Sequence, residues 1–175
     1  MTTQEKVAPR LAELHGSGYE IIEGQPDING WSVKTRSGKK AGVVDDLLFE
    51  PQSRKVRYLI VDIGSNELGL DDDRNVLIPI GMAELYTKAN RRDRSSNLDP
   101  AFTAYDPSFD GNVVYLPTVS AEQLDALPTY EKGRLSRHVE VAIRKILEPT
   151  DKSERDEDEF YRHEHFNDDR FYDRR

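Results

Sequence analysis

Lys55-Val56-Arg57-Tyr58-Leu59-Ile60-Val61-Asp62-Ile63 is dense in β-branched and aromatic residues. In an extended chain Val56, Tyr58, Ile60 and Asp62 fall on one side, and Arg57, Leu59, Val61 and Ile63 on the other. The stretch predicts a strand, and the sequence around it repeats the pattern. Upstream, Pro51-Gln52-Ser53-Arg54 is a turn, with Pro fixing φ, and residues 41–50 form a second apolar-rich strand. Ser37-Gly38-Lys39-Lys40 joins that strand to residues 32–36 in a hairpin, Gly supplying a positive φ at little steric cost. Downstream, residues 75–86 (NVLIPIGMAELY) read as one or two strands parted by Pro79 and Gly81, and residues 112–116 (NVVYL) as the last. Short strands punctuated by Gly and Pro, with no helical period between them, predict a small barrel or sandwich.

After Pro117 the period changes. Ser120 with Gln123 three residues later is a capping-box signature for a short helix ending before Pro128. Leu135, Val139, Ala142, Ile143, Ile146 and Leu147 recur at intervals of three and four, an amphipathic helix closed by Pro149. Residues 150–175 hold six basic and ten acidic residues, no aliphatic one, and five aromatics. Such a segment buries too little to order itself, so the composition predicts a disordered tail. The chain therefore divides into an amino-terminal extension (1–26), a β domain (27–117) with a long loop at 87–111, a helical appendage (118–149) and the tail (150–175). The fold class expected is mainly β with carboxyl-terminal helices.

Composition narrows the chemistry. The 175 residues carry 25 Lys and Arg against 33 Asp and Glu, a net charge of −8, and include no Cys. Disulfides, thiolate metal sites and cysteine nucleophiles are thereby excluded. No apolar run approaches the ~20 residues of a membrane span, and residues 1–10 lack the apolar core of a signal peptide, so a cytoplasmic protein is expected. Arg91-Arg92-Asp93-Arg94 is the one basic cluster of note. Three arginines in an acidic chain release too few counterions to hold nucleic acid firmly. They read instead as a solvated loop or a contact for an acidic protein.

Candidate sites for catalysis read as structure. The glycines form no phosphate-cradling loop and no Ser sits in a G-x-S-x-G elbow. Asp45 and Asp46, adjacent on a strand, point to opposite faces, and their expected role is a hydrogen bond to backbone or a pairing with Arg57. Asp71-Asp72-Asp73 lacks the spacing and the closing Glu of a calcium loop. His163-Glu164-His165 holds metal-capable groups within the tail, which reads as adventitious affinity rather than a built site. Trp31, the sole Trp, reads as a core plug. The Leu135–Leu147 stripe is expected to pack on the β domain or on a second copy, Val139 and Ile143 being central to the second possibility. Phe160, Tyr161 and Phe166, interleaved with charge, read as a short segment that meets a partner. No enzyme, cofactor or metal is expected.

Asp27-Ile28-Asn29-Gly30-Trp31-Ser32-Val33, then Gly42-Val43-Val44-Asp45-Asp46-Leu47, Val56-Arg57-Tyr58-Leu59-Ile60-Val61 and Leu77-Ile78-Pro79 together resemble the PRC-barrel family. That family includes the cytoplasmic barrel of the photosynthetic reaction-centre H subunit and the second domain of the ribosome maturation factor. The resemblance implies a small, strongly curved antiparallel barrel that serves as an assembly surface and has no catalytic residues. It also implies that Gly30, Trp31, Gly42, Asp45, Arg57, Tyr58 and Pro79 are structural motif positions. The expected function is a protein-protein adaptor or scaffold, reaction-centre-like or stress-linked, whose partner is another protein or its own copy. Any membrane association would run through that partner. Arg91, Arg92 and Arg94, with Phe160, Tyr161 and Phe166, are the expected contacts. An RNA- or ribosome-associated accessory factor is the alternative. A small-ligand-binding barrel is the third reading, disfavoured because a barrel of about six short strands is filled by its own side chains.

Overall fold

The computed structural model describes residues 11–15, 17–20, 27–70, 73–86, 112–148 and 166. Strands β1 (Ala12–Glu13), β2 (Ser32–Thr35), β3 (Lys40–Glu50), β4 (Lys55–Asp62), β5 (Asn75–Pro79), β6 (Glu84–Tyr86) and β7 (Val113–Leu116) form one sheet. A 3-10 turn, Ile80–Met82, lies between β5 and β6, and helices α1 (Ala121–Ala126) and α2 (Arg137–Leu147) follow the last strand. The order across the sheet is β5-β4-β3-β2-β7-β6, with β1 paired to the far end of β3 at Leu48 and Phe49.

Two expectations about the barrel are corrected. The pairing is not antiparallel throughout, because β2 and β7 run parallel, Ser32 opposite Val113 and Thr35 opposite Leu116. A parallel pair needs a long crossover, and the rest of the β domain lies between these two strands. The sheet is also not closed into a barrel: among the described residues its order ends at β5 and β6, which are not paired with each other. The β3–β4 ladder carries two irregularities: Asp45 is extra on β3 between Val44 and Asp46, and Arg57 is extra on β4 opposite the Leu48–Phe49 step. An extra residue in one strand of a pair bends that strand and strengthens its twist.

Alternation along β4 does not separate an inner from an outer face. Tyr58, Leu59, Ile60 and Val61 are all buried, because the helical segment and Phe166 cover what would otherwise be the solvent side. Ile143 and Leu147 of α2 and Leu124 of α1 belong to the same apolar cluster as Leu59, Ile78 and Leu116 of the sheet. The α2 stripe therefore packs on its own domain. Trp31 is half-buried at the edge of this cluster rather than plugging its interior.

Polar side chains fasten the appendage to the sheet. Ser120 and Gln123 form the expected capping box at α1, and the Gln123 amide nitrogen also donates to the Ile146 and Leu147 carbonyls at the end of α2 (3.3 Å each). The Arg74 guanidinium, just before β5, donates to the carbonyls of Leu124 (3.3 Å), Asp125 (2.8 Å) and Leu127. They lie at the carboxyl end of α1, where carbonyls run out of intrahelical donors; that of Leu124 also accepts from the Leu127 N–H (3.3 Å). Ser136 caps α2 through the Val139 N–H (3.3 Å), and Arg144 and Lys145 in its last turn oppose the negative end of the helix dipole.

Candidate functional site

Strand β4 and helix α2 share a buried polar cluster. Tyr58 lies fully buried in β4, and its hydroxyl donates to Glu140 Oε1 of α2 at 3.1 Å. Glu140 Oε2 lies 3.3 Å from Arg137 Nη1, one helical turn back. Glu140 is only 5% exposed, so its carboxylate depends on the Tyr58 hydroxyl and on the charge of Arg137, since an unpaired buried charge is strongly destabilising. Against the Tyr58 ring stands Phe166, with ring centroids 5.2 Å apart and planes at 80°, the edge-to-face geometry that aromatic quadrupoles favour. Phe166 is itself 5% exposed. A residue from the tail is thus seated on the central sheet, beside a tyrosine whose orientation is fixed by a buried carboxylate.

A second cluster ties the amino-terminal strand to the segment between the helices. The Tyr130 hydroxyl donates to Glu13 Oε1 (2.8 Å), and Lys132 Nζ stands 3.2 Å from Glu13 Oε2. Burial, the hydrogen bond to Glu13 and the negative charges of Glu13 and Asp46 all push the Tyr130 phenol above its ordinary value of 10.0. Asp46, buried in β3, accepts from the Leu47 N–H (2.7 Å) and the His15 N–H (3.2 Å to each oxygen).

The other motif positions act as ties and turns. Gly30 has φ +82°, a conformation that glycine adopts without strain, and its N–H donates to the Val44 carbonyl (2.8 Å). A Cβ on Gly42 would collide with the backbone oxygen of Asp62 on β4 and come within 3.0 Å of the Asp62 carbonyl carbon and Val61 Cγ1. Arg57 binds Glu50 across the β3–β4 turn (Nη2 at 2.9 Å, Nε at 3.2 Å), so the expected Arg57–Asp pairing gives way to Glu50 and backbone N–H groups satisfy Asp46. Asp45 is exposed and accepts from the Asn75 amide (3.2 Å). Pro79 ends β5 opposite Tyr58, where a missing N–H is harmless because it closes the strand.

Arg91, Arg92, Arg94, Phe160, Tyr161, His163 and His165 lie outside the described residues. Among the described residues no group of three His, Asp or Glu is placed to hold a metal ion, and no helix is long and apolar enough to cross a membrane. Sequence reasoning missed Glu140, Arg137 and Arg74 as partners, and foresaw Gln123 only as the capping residue of α1, not as a donor to the end of α2. Glu140 offered one signal: it sits beside Val139 and one turn before Arg144, close to the apolar stripe.

Comparison with known proteins agrees with the motif residues. A Deinococcus radiodurans protein described only as uncharacterized is 32% identical over 74 residues. The match takes in 41% of this chain and 26% of that protein, so the chain spans about a quarter of the relative's length. The family model for the PRC-barrel domain matches residues 21–94, a range that takes in β2 to β6 and leaves β7, α1 and α2 outside. The chain therefore carries a PRC-barrel domain at residues 21–94.

Proposed function

We propose that this chain is a non-enzymatic assembly module, in which a PRC-type sheet buttressed by two helices presents surfaces to another protein or to its own copy. What carries this reading is the use to which the polar motif side chains are put. Arg57 binds Glu50, Asp45 binds the Asn75 amide, and Tyr58 binds Glu140. Each is engaged in holding the fold, whereas a catalytic site brings such groups together around a reacting atom.

The strand order supports a rolled platform. Strands β5 and β6 are consecutive in the chain yet end the order on opposite sides. A flat sheet would set them about 24 Å apart, from five spacings of about 4.8 Å. The step from Pro79 to Glu84 spans at most about 18 Å when fully extended, and its 3-10 turn shortens it further. On this reading the sheet curls towards the barrel form, with a convex outer surface and two short edges. A rigid curved surface of this kind suits a scaffold. This reading also places the chain in the cytoplasm.

The test is the mass of the purified full chain across a concentration series, beside capture from native lysate with the membranes retained. A homo-oligomer of fixed stoichiometry, or one protein captured stoichiometrically, supports the module. Ribosomal particles in the capture would instead favour an RNA-linked factor. A monomer that captures nothing and is stabilised by a small metabolite would overturn the reading.

A further inference from the structure

The contact between Phe166 and Tyr58 has properties beyond those of an ordinary core pair. The seat is organised without Phe166: Tyr58 is fixed by its own strand and by its hydroxyl bond to Glu140, which Arg137 holds in turn. A site whose side chains are already in position loses little freedom when a ligand arrives, which raises its affinity for whatever fits. What fits is an aromatic ring set steeply to that of Tyr58. The segment that supplies it, residues 150–175, has no aliphatic residue, so its rings are its apolar anchors. Seventeen residues separate Glu148, the last described residue of the helical segment, from Phe166. Fully extended, that connection spans up to about 60 Å, well beyond the width of a small domain, so the reach of the segment does not confine Phe166 to its own chain.

We propose that the seat formed by Tyr58 and the Glu140 side of α2 is a docking site for the carboxyl-terminal segment of a second copy. In one chain its own Phe166 closes the seat. When that contact opens, the Phe166 of a neighbour fills it, and two chains pair by exchanging tails. Exchange of an identical element needs no new complementarity, because the contacts in the dimer are those already made in the monomer. The tether gives the internal Phe166 an effective concentration in the millimolar range, so exchange grows as chain concentration approaches that range. This inference rests on the assembly reading only in naming a second copy as partner, and its docking step is measured without any other protein.

The probe is a fluorescently labelled synthetic peptide spanning residues 158–174, titrated against the full chain and its Phe166→Ala variant. The variant is expected to bind the peptide at least tenfold more tightly than the parent chain, whose seat is filled. A peptide carrying Phe166→Ala is expected not to bind. Equal binding to both chains, or no binding to a variant that still unfolds cooperatively, overturns the docking site. Should Phe166→Ala fail to fold, Phe166→Leu keeps the apolar volume and removes the ring, and the same two comparisons apply. Sedimentation then tests the exchange: the parent chain should form a dimer as its concentration approaches millimolar, and the variant should not. Peptide docking without any parent dimer would overturn tail exchange while leaving assembly with other proteins untouched.

Discussion

Replacing Gly42 by Ala tests the closest backbone approach in the sheet. The added Cβ would overlap the Asp62 carbonyl oxygen and stand 3.0 Å from the Asp62 carbonyl carbon, distances that backbone atoms cannot relieve by a change of rotamer. Strand β3 must then move away from β4 near the Val43–Asp62 pair. Overpacking of this kind costs about 1–3 kcal/mol, and weakening one or two ladder hydrogen bonds adds about 1 kcal/mol each. Reduced freedom of the unfolded chain returns up to about 1 kcal/mol, leaving a net loss of about 3 kcal/mol. For a chain of this size that lowers the Tm by roughly 6–12 °C. Gly30→Ala is the control. Its φ of +82° strains an L residue, but nothing lies within 4 Å of the added Cβ, so the loss is about 1 kcal/mol or roughly 2–4 °C. Thermal and urea unfolding followed by far-UV circular dichroism and by Trp31 fluorescence measure both. If Gly42→Ala is no more harmful than Gly30→Ala, the close approach of β3 to β4 is wrong.

Tyr58→Phe removes one donor from the buried Glu140 carboxylate and should cost about 1–3 kcal/mol. A double-mutant cycle with Glu140→Gln should show coupling, and strict additivity would contradict the hydrogen bond. Arg74→Ala leaves the α1 carboxyl-terminal carbonyls without their guanidinium and should lower stability by about 1–3 kcal/mol by urea unfolding. Arg74→Lys should recover little, since an ammonium cannot reach three carbonyls as the planar fork does. Tyr130 gives a pH signature. Its phenol is held above 10.0 in the folded chain, so the folded state keeps a proton that the unfolded state loses. The resulting stability is complete below pH 10 and declines as pH rises beyond it. Tyr130→Phe should flatten the alkaline arm of a stability-pH profile, and an unchanged arm would count against the Glu13 contact. Ile143→Asp places a charge in the shared core and should abolish cooperative unfolding rather than change a dimer to a monomer.

Local signals decided much of this architecture. The turns at Gly38 and Pro51 set the ends of β3, the alternation of residues 55–63 set β4, and the Ser120–Gln123 capping box set α1, because each depends on residues within one turn or one strand. The order of motif residues from Gly30 to Pro79 was enough to point to the domain family. What lay beyond the sequence was every relation between distant segments. Parallel pairing of β2 with β7 joins residues about 80 positions apart, and no local period reports strand direction. Nor does one report the open order of the sheet, which depends on where β5 and β6 lie after the chain has crossed it. Alternation in β4 misled because it assumes one face in water, whereas α2 and Phe166 bury the second. The Arg57–Glu50 pair is set by a register shift, and Glu140 becomes a partner of Tyr58 only when α2 docks on the sheet. Phe166 is the sharpest case. Its neighbours have the composition of a chain that cannot order itself, and it is buried because a distant strand offers it the Tyr58 ring to pack against.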